Sequence, residues 1–147
     1  MALDVGEKTV GIAVSDPLGI SSSPRETLRR DGTELDRLQK IVTSEEIGEV
    51  VVGLPISLNG TLGPSAQKVL EFVGQLRERV TVPVETWDER LTTAEAEKML
   101  IATDTRRAKR RKVIDQIAAS LILQNYLRRK DLMGRRDDEE ATGSNDW

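Results

Sequence analysis

Acidic residues stand at three places where a charge is costly. Asp4 lies inside the apolar run "ALDVG". Glu85, Asp88 and Glu89 crowd "VETWDERLTT". Asp115 sits in "KVIDQIAASLIL", beside the stripe Ile114, Ile117, Ala118, Leu121 and Ile122. A carboxylate within a sheet, or at the seam of a buried helix, costs several kcal/mol unless it is paired or holds a cation. The chain contains no cysteine and no histidine. That excludes disulfides, thiol nucleophiles, structural zinc held by those ligands, and imidazole bases. An enzyme built from this inventory works with carboxylates, lysine, arginine, hydroxyls or a bound metal. Oxygen donors suit a hard cation such as Mg²⁺ or Mn²⁺. Each acid also has a plain structural reading. Asp4 is wet at a frayed strand or caps a hairpin turn, Glu89 pairs with Arg90, and Asp115 pairs with Lys112 three residues earlier.

The elements that must position these acids follow from the apolar pattern. "ALDVG" and "VGIAVSD", separated by "EKT", predict a β-hairpin over 2–16. "GISSSPRETLRR" predicts a third strand that Pro24 confines to an edge. Leu35, Leu38, Ile41 and Val42 predict a helix over 33–46 with Thr33 as N-cap. "EVVVGLPIS" is a near-continuous β-branched run, as in a strand buried on both faces. Pro64 suits the first turn of a helix reaching about Arg79. "VTVPVETW" predicts another strand, whose alternation puts Glu85, Trp87 and Glu89 on one face and Val82, Val84, Thr86 and Asp88 on the other. Thr92–Glu95 fits a capping box, and "VIDQIAASLILQNYL" a strongly apolar helix. The order is β-β-β-α-β-α-β-α-α, a mixed sheet with helices against it. The expected organisation is one α/β domain over 1–135 and a disordered acidic tail over 136–147.

The net charge of −3 hides a division. The last eleven residues carry −5, which leaves +2 elsewhere. "TRRAKRRK" holds Arg106, Arg107, Lys109, Arg110, Arg111 and Lys112. Such a run is either a solvated loop or a contact with a phosphate backbone. The acidic tail is a solubilising end or a competitor for that run. No apolar run approaches the roughly 18 residues of a membrane span, and no basic segment leads into an apolar one at the start. A cytoplasmic protein with no membrane partner is the expectation.

"LDVGEKTVGIAVSD", "VVGLPISLNGT", "WDERLTT" and "KVIDQIAASLIL", in that order over roughly residues 2–128, resemble the YqgF family. These RuvC-like proteins, also called RuvX, are named as Holliday-junction resolvases and as nucleases that trim precursor small-subunit ribosomal RNA. The resemblance implies an RNase H-like fold: a five-stranded mixed sheet, first three strands antiparallel, flanked by helices. It also implies metal-binding carboxylates, with Asp4 as the first-strand acid and Asp115 as the acid of the last helix. RuvC nucleases carry their second acid on the preceding strand, which here reads "VVGLPIS" and has none. By the same resemblance Glu89 of "DER" matches the middle acid, with Asp88 second.

The activity implied is metal-assisted phosphodiester hydrolysis. Asp4 would bridge two Mg²⁺ or Mn²⁺ ions, with Asp115 and Glu89 holding one each. Lys8, Arg90, Arg106, Arg107, Lys109, Arg110, Arg111 and Lys112 would contact nucleic acid, and Lys8, Thr9, Asn59 and Thr61 would line the groove. The substrate would be the 5′ end of precursor 16S ribosomal RNA or Holliday-junction-type DNA, and the protein a monomer or homodimer. Two other classes compete. One is a non-catalytic nucleic-acid-binding or ribosome-assembly factor on the same fold. The other is an ATPase of the actin type, whose first hairpin also reads D-x-G but which needs two such domains to enclose a nucleotide.

Overall fold

A computed structural model describes residues 1–16, 21–57, 59–89 and 117–130. The strands are β1 (Ala2–Val5), β2 (Thr9–Ser15), β3 (Ser22–Arg29), β4 (Val50–Leu54) and β5 (Val84–Asp88). They form one sheet in the order β3-β2-β1-β4-β5. β1, β2 and β3 pair antiparallel, whereas β1 with β4 and β4 with β5 pair parallel. The mixed sheet expected from the sequence is therefore present, with its antiparallel half first in the chain. Pro24 lies in β3, which is an edge strand, as the sequence implied.

Two apolar layers cover the sheet because side chains alternate along each strand. Leu3, Val10, Ile12, Val50, Val52 and Val84 face the helices α1 (Glu34–Ser44) and α2 (Pro64–Arg79) and pack with Leu38, Val42, Val69, Phe72, Val73 and Leu76. Burying a side chain such as Phe72 stabilises by about 1.5–3 kcal/mol. Arg30 lies over the Phe72 ring at 5.4 Å. Arg77 donates to the Val84 carbonyl through Nε (3.1 Å) and Nη2 (2.7 Å), which fixes the end of α2 to the start of β5.

The opposite face carries Ala2, Ala13, Val51 and Trp87, packed against Ala119, Ile122 and Leu123 of a helix over 117–130. Ala2, Ala13 and Ala119 have no exposed surface, so the helix lies close on the sheet. Ile122 of the expected stripe is buried, but Ala119 and Leu123 flank it in place of the half-buried Ala118 and Leu121, with Tyr126 and Leu127 behind. The stripe is therefore right in part, with its buried line turned by about one residue.

Thr33 takes the N-cap position of α1 but does not cap with its side chain. Its hydroxyl donates instead to Asp31 Oδ1 at 2.6 Å. Pro64 opens α2 as expected, and α2 ends at Arg79. The strand anticipated from Val80 begins only at Val84, after Pro83. The expected helix start at Thr92–Glu95 and the tail over 136–147 lie outside the described residues.

Candidate active site

Asp4 sits in the ladder of β1, opposite Gly11 of β2. It is neither frayed nor in the hairpin turn. Residues 6–8 make that turn, closed by the Gly6 N–H donating to the Thr9 carbonyl at 2.8 Å. Ala2 is on the face covered by the 117–130 helix, so alternation puts Asp4 on that face too. Val51 shares the face, and continuing the β1–β4 register past Leu3↔Val52 places Gly53 beside Asp4. Asp4 is thus flanked by a glycine on each neighbouring strand.

Glu89 follows β5 directly. Trp87 faces the 117–130 helix and Val84 faces α2, which is the alternation the sequence implied. Glu89, two residues beyond Trp87, turns back over β4 and its carboxyl hydrogen-bonds Asp4. Burial raises the Glu89 pKa above the ordinary glutamate range, the negative charge of Asp88 raises it further, and the bond to Asp4 pulls partly the other way. Of the two acids that competed for the middle position, Glu89 bonds Asp4, and Asp88 acts on Glu89 as a neighbouring charge.

The chemistry of this pair fits a hard divalent cation: two carboxyl groups in contact, partly withdrawn from water, offering only oxygen. Among the described residues no group of three such ligands comes together. Asp115 lies outside them, as do Arg90, Arg106, Arg107, Lys109, Arg110, Arg111 and Lys112. Lys8 is exposed on the β1–β2 turn, at the end of the sheet where Asp4 lies. Asn59 Oδ1 accepts from the Thr61 N–H (3.1 Å) and hydroxyl (2.6 Å), so the polar atoms expected to line a groove bond one another in an exposed turn.

Two features escaped the sequence reading. Gly53 interrupts the β-branched run of β4, and a lone glycine inside a strand marks close approach of another group. That signal was present in "VVVGL". The second is a polar anchor at the other end of the sheet. The Tyr126 hydroxyl reaches the carboxylates of Glu49 and, at 3.0 Å, Glu85, while Lys130 Nζ meets Glu49 Oε2 at 2.6 Å. Burial and these two carboxylates push the Tyr126 pKa up. Burial would raise that of Glu49, but its bonds from Lys130 and Tyr126 outweigh this and lower it.

A family model described as "RuvX: Holliday junction resolvase" matches residues 1–129. The chain belongs to the RuvX family. This RuvX chain is 50% identical over 129 residues to a protein of Desulforamulus reducens named "Putative pre-16S rRNA nuclease", covering 86% of this chain and 94% of the relative. A protein of Thermoanaerobacter pseudethanolicus with the same name is 50% identical over 130 residues, with the same coverage. Among solved structures, Thermus thermophilus RuvC in complex with a Holliday junction substrate superposes with a TM-score of 0.51 at 16% identity, covering 82% of this chain and 88% of that one. A second Thermus thermophilus RuvC structure gives 0.50 at 15%, covering 82% and 89%. At such identity the likeness is one of fold, and it is the RNase H-like fold expected for RuvX. No described helix is long and apolar enough to cross a membrane.

Proposed function

We propose that this RuvX protein is a divalent-metal-dependent endonuclease that hydrolyses phosphodiester bonds in structured nucleic acid. Precursor 16S ribosomal RNA, trimmed at its 5′ end, is the first substrate and Holliday-junction-type DNA the second. The observation that carries this reading is the carboxyl contact between Asp4 on β1 and Glu89 beyond β5. Acids this close repel once both are ionised. A site that keeps them together is poised for positive charge between them. Asp4 and Glu89 would hold Mg²⁺ or Mn²⁺, with Asp115 as the third ligand. Asp115 stands four residues before Ala119 and seven before Ile122, the helix residues that pack on the Asp4 face. Such a cation, when bound, supplies an activated water and neutralises charge on the phosphate.

This chain's own residues do the rest. The sheet ladder fixes the Asp4 carboxyl more tightly than a loop would. Burial and the charge of Asp88 raise the Glu89 pKa, so the Asp4–Glu89 pair resists standing doubly ionised and favours positive charge beside it. Lys8 supplies positive charge at the edge of the site, and Arg90 and the run from Arg106 to Lys112 grip the phosphate backbone. The name of the relatives at 50% identity supports the ribosomal RNA substrate over the DNA junction.

The test is cleavage of structured RNA and of branched DNA with Mn²⁺, comparing the wild type with Asp4→Asn. Loss of at least about 100-fold is expected, since even outer partners of a metal site cost 10–100-fold. Equal residual activity in the two proteins would indicate a contaminant. It would favour a non-catalytic nucleic-acid-binding or ribosome-assembly factor, a role consistent with the absence of an acid in β4.

A further inference from the structure

β1 and β5 are separated by β4, which sets them two strand spacings apart, about 10 Å. A side chain leaving the end of β5 meets Asp4 only by crossing the surface of β4. Gly53 is the β4 residue at that crossing. A Cβ built on Gly53 would collide with Glu89 Oε1, would lie 2.9 Å from Glu89 Cδ and would lie 2.6 Å from Ile122 Cδ1 of the 117–130 helix. Real Cβ atoms essentially never approach other atoms so closely. The Gly53 backbone does not adopt the left-handed conformation that would itself demand glycine. Space, and not backbone freedom, is what this glycine provides. Trp87, its register partner on β5, faces the same way.

We propose that Gly53 is a positioning residue: the absence of its side chain opens the passage through which Glu89 reaches Asp4, and it thereby sets the affinity of the site for a divalent cation. The cation part rests on the nuclease reading. The passage itself does not, because the contact exists without metal. Gly53→Ala introduces two separable clashes. The one with Ile122 Cδ1 acts on helix packing and therefore on stability. The one with Glu89 acts on the carboxyl pair. Ile122→Val deletes the Cδ1 atom, so G53A/I122V relieves the first clash and keeps the second.

The experiment uses the full chain as wild type, I122V, G53A and G53A/I122V, each with and without Asp4→Asn. Thermal unfolding reads the fold. Carboxyl ¹³C NMR of Glu89 without metal reads the contact, and Mn²⁺ titration reads affinity. In wild type and I122V, Asp4→Asn shifts the Glu89 carboxyl signal. In G53A/I122V the protein regains a melting temperature near that of I122V, the Glu89 signal no longer responds to Asp4→Asn, and Mn²⁺ binds at least ten-fold more weakly. Recovery of the fold without recovery of the other two is the signature of positioning, since a purely structural role would recover all three together. Loss of the Glu89 response in G53A/I122V, with no Mn²⁺ binding even in wild type, supports the passage and removes the metal-dependent reading. A folded G53A/I122V whose Glu89 still responds to Asp4→Asn overturns the proposal, as does failure of the double variant to fold while G53A alone folds and keeps that response.

Discussion

The carboxyl groups of Asp4 and Glu89, 85 residues apart in the chain, hydrogen-bond one another across the bare backbone of Gly53. A buried contact between two acids is unfavourable when both are charged. Ionising both acids at once is therefore costly in this fold.

Mn²⁺ is expected to raise the melting temperature of the wild type, because a ligand bound only by the folded state adds about 2.7 kcal/mol at 100 times its Kd. Asp4→Asn removes one carboxylate and should abolish most of the shift. Differential scanning fluorimetry across a Mn²⁺ series, with EDTA as reference, measures this. Equal shifts in both proteins would place the cation elsewhere.

The raised pKa of Glu89 has a defined consequence for stability without metal. The folded chain keeps this proton to higher pH than the unfolded chain does. The group's contribution is fully present below the ordinary glutamate pKa, about 4.3, and is lost as pH rises through the folded value. Glu89→Gln does not titrate. In EDTA, the stability of E89Q relative to wild type should therefore rise from pH 4 toward pH 7.5, read by urea denaturation at each pH.

At the other end of the sheet the sign reverses. The lowered pKa of Glu49 means that its contribution is present above the ordinary glutamate pKa and is lost as pH falls through the folded value. Tyr126→Phe removes a hydrogen bond to this carboxylate, worth about 1.5–3 kcal/mol. Its destabilisation should be larger at pH 7 than at pH 3.5 in matched denaturation curves.

Ala119 meets the sheet with no exposed surface, in one cluster with Ala2 and Ala13. Ala119→Leu overfills this seam and should cost about 1–3 kcal/mol, measurable by denaturation. Because Ile122 on the same helix lies over Gly53, a weaker Mn²⁺ response should accompany the loss.

Neutralising charges of the run Arg106–Lys112 should flatten the salt dependence of nucleic-acid binding. Each phosphate that the protein ceases to neutralise lowers the slope of log K against log salt by about 0.9 on duplex DNA and by about 0.7 on a single strand. Lys8→Ala should act in the same direction by one phosphate at most. An unchanged slope, measured by fluorescence anisotropy over a salt series, would return the basic run to the role of a solvated loop.

The sequence alone determined the parts of this protein that depend on local chemistry. Alternation along β5 separates Trp87 from Val84, Pro24 marks an edge, Pro64 opens α2, and a carboxylate in the first apolar run demands a partner. Those patterns are written within a few residues of each other. Tertiary structure decided what no short window contains. The spacing put Ile122 on the inner line of the 117–130 helix, but only the packed structure chooses Ala119 and Leu123 over Ala118 and Leu121 beside it. Alternation put Asp88 and Glu89 on opposite faces without saying which face Asp4 shares, and the order β1-β4-β5 together with the gap at Gly53 brings Glu89 to Asp4. The physical reason is that a contact spanning 85 residues depends on which strand lies between its ends and on how much space that strand leaves.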